Sequence, residues 1–418
     1  MTVSDIQAPQ APPAPRGEGL AVAFIFLTLA LDAIGYGLIM PVMPDLLRSV
    51  TGGDLSRAAL WGGLLTGGFA VMQFLFGPVI GNLSDRFGRK PVLILSLTVL
   101  SGDYIVLALA GSVWLLFAAR LVTGAASSTY GTAMAYIADI STPAQKAQRF
   151  GLVGAAFGAG FVAGPAIGGL LAEYGLRAPF LAAALVSGFN ALFGLVVLRE
   201  SLQPERRRAF EWRRANPFGS FRHVGRLPGL GRLITIFFFY ELGFAVYPVI
   251  WSYFTIARFG WTPAQVGLSL AYYGVGFALV QGALVRVSIR AMGRGRTVAF
   301  GLGASVLAFA TLFWIENGAF ALVLIPISAL SGLVMPALRA EMSDRVSDRQ
   351  QGELQGGLSS LHALGMILAP FLYTMVFAHF TGPSAPVHAP GAVFAVPALL
   401  SALSLWLLAR VRTERTPA

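Results

Sequence analysis

The chain has 418 residues, 56% of them hydrophobic and only 12% charged, with a formal net charge of +11 and no cysteine. A soluble domain carries about 25% charged residues, so this composition, spread over apolar runs of roughly 20 residues, excludes a soluble protein built around one core. The missing cysteines exclude a disulfide framework and a thiolate metal site. The positive charge lies in short loops between apolar runs, which argues for membrane orientation and against nucleic acid as a partner.

Residues 1–19 are rich in Pro and Ala and read as a disordered cytoplasmic tail. The first apolar segment is too long for a cleavable signal peptide and lacks a small-residue cleavage site after it. Twelve apolar spans follow, at about 20–41, 60–81, 91–110, 113–137, 149–171, 179–198, 233–256, 266–286, 297–315, 319–338, 354–378 and 391–409. Each is long enough to cross a hydrocarbon core of about 30 Å at about 1.5 Å per residue. The 49 glycines suit this setting, because small residues let membrane helices approach closely.

The longest connection, 199–232, separates six spans from six. It carries Arg206, Arg207, Arg208, Arg213, Arg214, Arg222, Arg226 and Arg232. The chain therefore divides into an N-terminal six-helix bundle (20–198), a basic cytoplasmic linker (199–232), a C-terminal six-helix bundle (233–410) and a cytoplasmic tail (411–418). Within 209–223, Phe210, Trp212, Phe218 and Phe221 alternate with Arg, so the linker either lies on the membrane surface or is solvated and only fixes topology. Orientation follows from the basic residues. With the N-terminus inside, the outer loops hold only Arg48, Arg57, Arg177 and Arg258, so both termini are expected in the cytoplasm.

The loop between spans two and three reads Gly77-Pro-Val-Ile-Gly81-Asn-Leu-Ser-Asp85-Arg86-Phe-Gly88-Arg89-Lys90. Gly77 and Gly81 would let two helices touch, and Asp85 with Arg86, Arg89 and Lys90 would form a latch across the end of the bundle. The plainer reading is a basic loop that sets topology. This segment resembles the signature loop of the major facilitator superfamily. Two further segments add to the resemblance. Arg120-Leu-Val-Thr-Gly124 in span four is similar to the superfamily's R-x-x-x-G motif, associated with proton coupling. Gly160, Gly164, Pro165, Gly168 and Gly169 in span five resemble the antiporter motif of the twelve-span drug/proton exporters. There, Gly-Pro would permit a bend and tight packing against the opposite half.

The likeness is nearest to the tetracycline efflux subgroup. It extends through Leu31 to Pro41, Ser101-Gly-Asp103-Tyr104, Arg258-Phe-Gly-Trp261 and Gln351 to Gly356. It covers nearly the whole chain and is strongest in residues 28–170. It implies an all-α membrane fold of two pseudo-symmetric six-helix bundles around a central cavity, with transport by alternating access. It also implies a bacterial-type inner membrane.

Ionisable residues inside spans are costly unless they face water or a partner. Here they are Asp32, Asp103, Arg120 and Glu241, with His362 as a titratable neighbour in type. The resemblance places Asp32, Asp103 and Arg120 among functional charges; a static pair of Asp32 with Arg120 is the structural alternative. The subgroup's span-nine acid is absent: Ser305 or its neighbours stand there. Phe277 stands in place of its span-eight His. Glu241 in span seven is the acid gained. This departure counts against tetracycline itself and not against proton coupling. The second-half counterpart of the signature loop, Gly282 to Arg294, keeps Gly and Arg but has no acid, so a latch there needs an acid from elsewhere.

The expected function is proton-coupled export of an amphipathic small molecule. Glu241 and Asp32 are the expected proton site, tuned by Asp103 and Arg120. Gln73, Asn190, Tyr240, Gln281 and His362 are expected substrate contacts, as polar groups in apolar spans. The aromatic residues of spans seven and eight either line a greasy cavity or pack against lipid and neighbours. The alternatives are a lipid, sugar-conjugate or metabolite transporter of the same fold, or a receptor or scaffold that does not transport. Catalysis is not expected, since no phosphate loop, metal cluster or nucleophile set is present in the pattern. No cofactor or metal is expected; the partners are the substrate, protons and the bilayer, with the chain as a monomer.

Overall fold

A computed structural model describes residues 18–127, 129–212, 216–217 and 229–413. Of the linker arginines, Arg213, Arg214, Arg222 and Arg226 lie outside them, as do Phe218 and Phe221, both tails up to residue 17 and from residue 414. Every regular element among the described residues is helical. Lipid leaves backbone groups no other partner, so a chain this apolar satisfies them within each span.

Eleven spans are helices long and apolar enough to cross a membrane unaided. Span one is Glu18–Ile39, and a short helix, Met43–Thr51, follows it. Span two is Leu55–Phe87, span three Arg89–Leu109, span five Pro143–Leu171 and span six Ala178–Val197. Span seven runs as Gly231–Phe244 and Val246–Phe259. Span eight runs as Pro263–Leu279 and Val285–Met292 around a wide turn, Val280–Leu284. Span nine is Arg294–Trp314. Span ten is Gly318–Ala329 and Val334–Ser343 around a tight turn, Leu330–Leu333. Span eleven is Asp348–Thr381, and span twelve is Ala395–Thr413 after the turn Pro390–Phe394.

Span four is the twelfth, and it is broken into Val113–Ala126 and Thr129–Ile140. A break leaves carbonyls without their helical partners, and side chains take them up. Ser96 donates to the Ala126 carbonyl at 2.7 Å, and Gln73 to the Ser127 carbonyl at 3.3 Å. Span ten is the counterpart of span four, and it tightens at the same level. There Tyr240 donates to the Ser331 carbonyl at 2.9 Å.

The helix starts repeat between the halves as well. Thr142 with Gln145 and Ser347 with Gln350 form capping boxes at the equivalent spans five and eleven. Span two begins at Asp54, whose carboxylate accepts from the Arg57 backbone N–H at 2.9 Å and from the Ser56 hydroxyl at 2.8 Å. The Arg57 N–H, and after it the Ser56 hydroxyl, hold the Asp54 pKa below its ordinary value.

The halves meet at one end of the bundle. That end lies opposite the linker. One buried cluster there joins both halves, with Val42, Leu46 and Ala58 beside Tyr253, Tyr373 and Phe377. Ser252 of span seven donates to the Met40 carbonyl at 2.8 Å. Glycines permit the approach: Gly63 faces the Pro370 carbonyl and Thr374, and Gly67 lies under the Phe371 ring. At the linker end the cores separate. Phe24, Leu29, Tyr136 and Val153 form one cluster, and Leu233, Phe237, Leu302 and Leu338 another. Span two shows the change along one helix, because a Cβ at Gly77 or Gly81 would touch nothing. The molecule is therefore closed at the far end and parted at the linker end. The expected helix contact through Gly77 and Gly81 is absent here, since the surface they would meet stands away.

Candidate functional site

The signature loop forms a lock inside its own half. Arg89 pairs with Asp85 at 2.6 Å and with Asp139, at the end of span four, at 3.2 Å. It also donates to Ser84 at 3.1 Å. Glu200 accepts from the backbone N–H groups of Arg89 at 2.8 Å and Lys90 at 3.2 Å, which ties span three to the end of span six. Arg86 instead lies over the Phe87 ring. The expected latch across the bundle end thus joins spans two, three, four and six, and not the two halves. The described linker rests on it: Arg208 N–H donates to the Asp85 carbonyl, and Asn82 to the Glu211 carbonyl. In the second half, Arg294 takes its acid from Asp344 at the end of span ten. The acid missing from that loop is supplied from elsewhere.

The antiporter segment has two faces. Gly160, Gly164 and Gly168 sit against the carbonyls of Ala30, Ile34 and Leu38 in span one. Gly169 alone of the motif glycines faces the other half, at Pro263 and Ala264. Gly267 of span eight returns the contact at the Pro165 carbonyl. Packing against the opposite half is therefore one part of the motif's work. The larger part is to seat span five on span one, where three glycines one turn apart remove the side chains that would hold two helices away.

Two sets of ionisable groups stand inside the spans. In the N-terminal half, Arg120 of span four pairs with Asp103 of span three. Both are buried, and the guanidinium also lies over the Phe69 ring. The second Asp103 oxygen and the Arg120 Nε have no hydrogen-bond partner. Arg120 is therefore not paired with Asp32. Asp32 stands one turn before Tyr36, and both are within electrostatic reach of Tyr104. Asp103 and Arg120 reach the same tyrosine.

In the C-terminal half, Glu241 of span seven meets His362 of span eleven, with Oε2 and Nδ1 2.8 Å apart. The Glu241 side chain is 12% exposed and that of His362 is 51% exposed. Glu241 lies one turn before the discontinuity at Ala245, whose N–H donates to the Glu241 backbone carbonyl. Gly365, one turn along span eleven from His362, brings the helices together at the Glu241 Cβ. Sequence reasoning named both residues but not the pair; their separation of 121 positions hides it. Ser305 is buried and donates back to the Gly301 carbonyl, so it brings no free polar group to the site.

The expected substrate contacts divide. Asn190 is 2% exposed and accepts from Thr28 at 3.3 Å, which places it between spans one and six. Tyr240 is buried on the span-ten turn, and Gln73 serves the span-four break. Gln281 is exposed in the wide turn of span eight. Such turns are frequent at functional sites. The aromatic set packs: Phe244, Tyr247, Tyr273 and Phe277 are in ring-to-ring contact, and Phe237, Trp251, Tyr253 and Phe254 are buried.

The comparisons agree with this architecture. A family model described as Major Facilitator Superfamily matches residues 25–258 and 233–418. The class C tetracycline resistance protein of Escherichia coli is 41% identical over 358 residues, covering 86% of this chain and 90% of that protein. The class G tetracycline resistance protein of Vibrio anguillarum is 38% identical over 356 residues, covering 85% and 90%. The crystal structure of a bacterial homologue of the human lysosomal transporter Spinster has the same fold, at 18% identity and a TM-score of 0.76, over 97% of this chain and all of that one. The chain belongs to the major facilitator superfamily, and it is a multi-pass membrane transporter of small molecules.

Proposed function

We propose that this transporter exports amphipathic small molecules in exchange for protons, and that the Glu241–His362 pair is where the proton exchanges. The carrying observation is the pair itself, with an acid and an imidazole 2.8 Å apart inside the spans and the imidazole half exposed. A carboxylate beside an imidazole offers two sites for one proton. A proton arriving from outside neutralises Glu241, and the substrate leaves. The proton departs when the site faces the cytoplasm, and the next substrate binds. Asp32 is the companion acid of the N-terminal half, and Asp103 with Arg120 holds spans three and four in register beside it.

The positive-inside bias puts the linker end, and with it both termini, on the cytoplasmic side of a bacterial inner membrane. The parted end is then the inner end, and the protein is in its inward-open state. It works as a monomer and has no enzymatic role. The relatives named for tetracycline resistance point to planar amphipathic drugs as the substrate class. The lack of an acid in span nine makes tetracycline itself the less favoured member of that class.

The test is transport in proteoliposomes under an imposed pH gradient, with tetracycline, ethidium and a fluorescent lipid as substrates. Wild type is run beside Glu241→Gln and Asp32→Asn. Gradient-driven movement of a drug that disappears in Glu241→Gln supports the reading. Insensitivity of all three substrates to the gradient contradicts it.

A further inference from the structure

The two halves build the same turn and complete it differently. Span three starts after Gly88, at φ 105° and ψ 164°, and span nine after Gly293, at φ 77° and ψ 162°. In each, the first arginine pairs with an aspartate from the end of the next span, Arg89 with Asp139 and Arg294 with Asp344. In the N-terminal half the Glu200 carboxylate stands before this turn, against Gly88, and accepts from the Arg89 and Lys90 N–H groups. In the C-terminal half Gly293 has open space, and among the described residues no carboxylate accepts from the first N–H groups of span nine.

A cavity of about 620 Å³ occupies that place. Among the described residues, Arg294, Arg296 and Arg345 line it, with one acid, Glu341, which is bound to Arg345 at 2.8 Å. Arg296 is exposed and has no ion-pair partner among the described residues. The buried Arg345 Nε has no hydrogen-bond acceptor. The remaining wall described is apolar, formed by Leu233, Ile289, Met292, Val298, Leu338 and Leu408.

We propose that this cavity binds the phosphate of an anionic phospholipid headgroup, which takes the place that Glu200 holds in the other half. Backbone N–H groups at a helix start and two under-used guanidinium groups are the donors an oxyanion requires. The apolar wall favours a phosphate that carries acyl chains over a free one, and the site lies at a bundle end where headgroups are at hand. None of the proposed transport residues lines it.

The test is native mass spectrometry of the delipidated full-length protein, titrated in turn with phosphatidylglycerol, phosphatidylcholine and inorganic phosphate. Wild type should retain phosphatidylglycerol in preference to phosphatidylcholine. Each arginine removed should weaken that binding roughly fivefold, so Arg296→Gln with Arg345→Gln should weaken it about 25-fold. Arg296→Gln alone, at an exposed position, keeps the test open where the double variant fails to fold. Arg57→Gln, at the far end, should leave binding unchanged. Equal binding by wild type and the arginine variants would overturn the proposal. So would inorganic phosphate displacing the lipid completely, which would make a free anion the ligand. Tighter lipid binding by a chain ended at Thr413 would also overturn it, because the protein's own tail, with Glu414, would then be the natural occupant.

Discussion

The two halves share a fold and differ in how they hold charge. In the N-terminal half an arginine and an aspartate neutralise each other out of reach of solvent, between spans three and four. In the C-terminal half an acid meets an imidazole whose side chain is half exposed. A guanidinium keeps its proton at any physiological pH, so Arg120 has none to exchange. An imidazole does not, so the second can change state. On the proposed function, one half thus carries a strut and the other a switch.

The largest expected effect breaks the switch. Glu241→Gln should reduce gradient-driven transport to background while leaving substrate exchange without a gradient, measured in the same vesicles. His362→Asn should keep transport but shift its pH dependence, since the acid remains and its partner no longer titrates. Breaking the strut acts on stability instead. Asp103→Asn leaves Arg120 buried without its counter-charge and should cost about 3–5 kcal/mol. Thermal unfolding in detergent would read this, and Asp103→Asn with Arg120→Gln should recover part of the loss.

A smaller effect separates the two ends of the bundle. A Cβ at Gly77 touches nothing in this state, so Gly77→Val should leave unfolding nearly unchanged. If the linker end closes during the cycle, overpacking there costs about 1–3 kcal/mol and should slow transport roughly tenfold. The smallest effect is at the far end. Asp54→Ala should cost about 1 kcal/mol by loss of the span-two cap. Because the folded pKa of Asp54 is lowered, that contribution is full above the ordinary carboxylate value and is lost as pH falls through the folded value. Unfolding of wild type and variant at neutral and acidic pH should therefore converge at low pH.

Much of this fold was legible in the sequence because lipid makes each span an apolar run of fixed length. The basic linker was the expected boundary between the halves. The break in span four was not legible, because Ala125 to Thr129 holds only small residues and neither Gly nor Pro. Gln73 read only as a substrate contact, and its hydrogen bond to the carbonyl at the break was hidden with the break. The antiporter glycines were recognisable as packing residues, but a pattern of small residues does not say which helix they meet. Glu241 and His362 stood out singly as ionisable or titratable groups in apolar surroundings. Their pairing depends on the approach of spans seven and eleven, which no local pattern encodes.

The account rests on a proton changing place at Glu241 when substrate binds. The direct measurement is calorimetric binding of ethidium or tetracycline, whichever binds, to purified protein in two buffers of different ionisation enthalpy. The account predicts that wild type releases protons on binding, seen as a buffer-dependent heat, and that Glu241→Gln binds with the same heat in both buffers. A wild-type heat independent of buffer across the pH range where the imidazole titrates would contradict it.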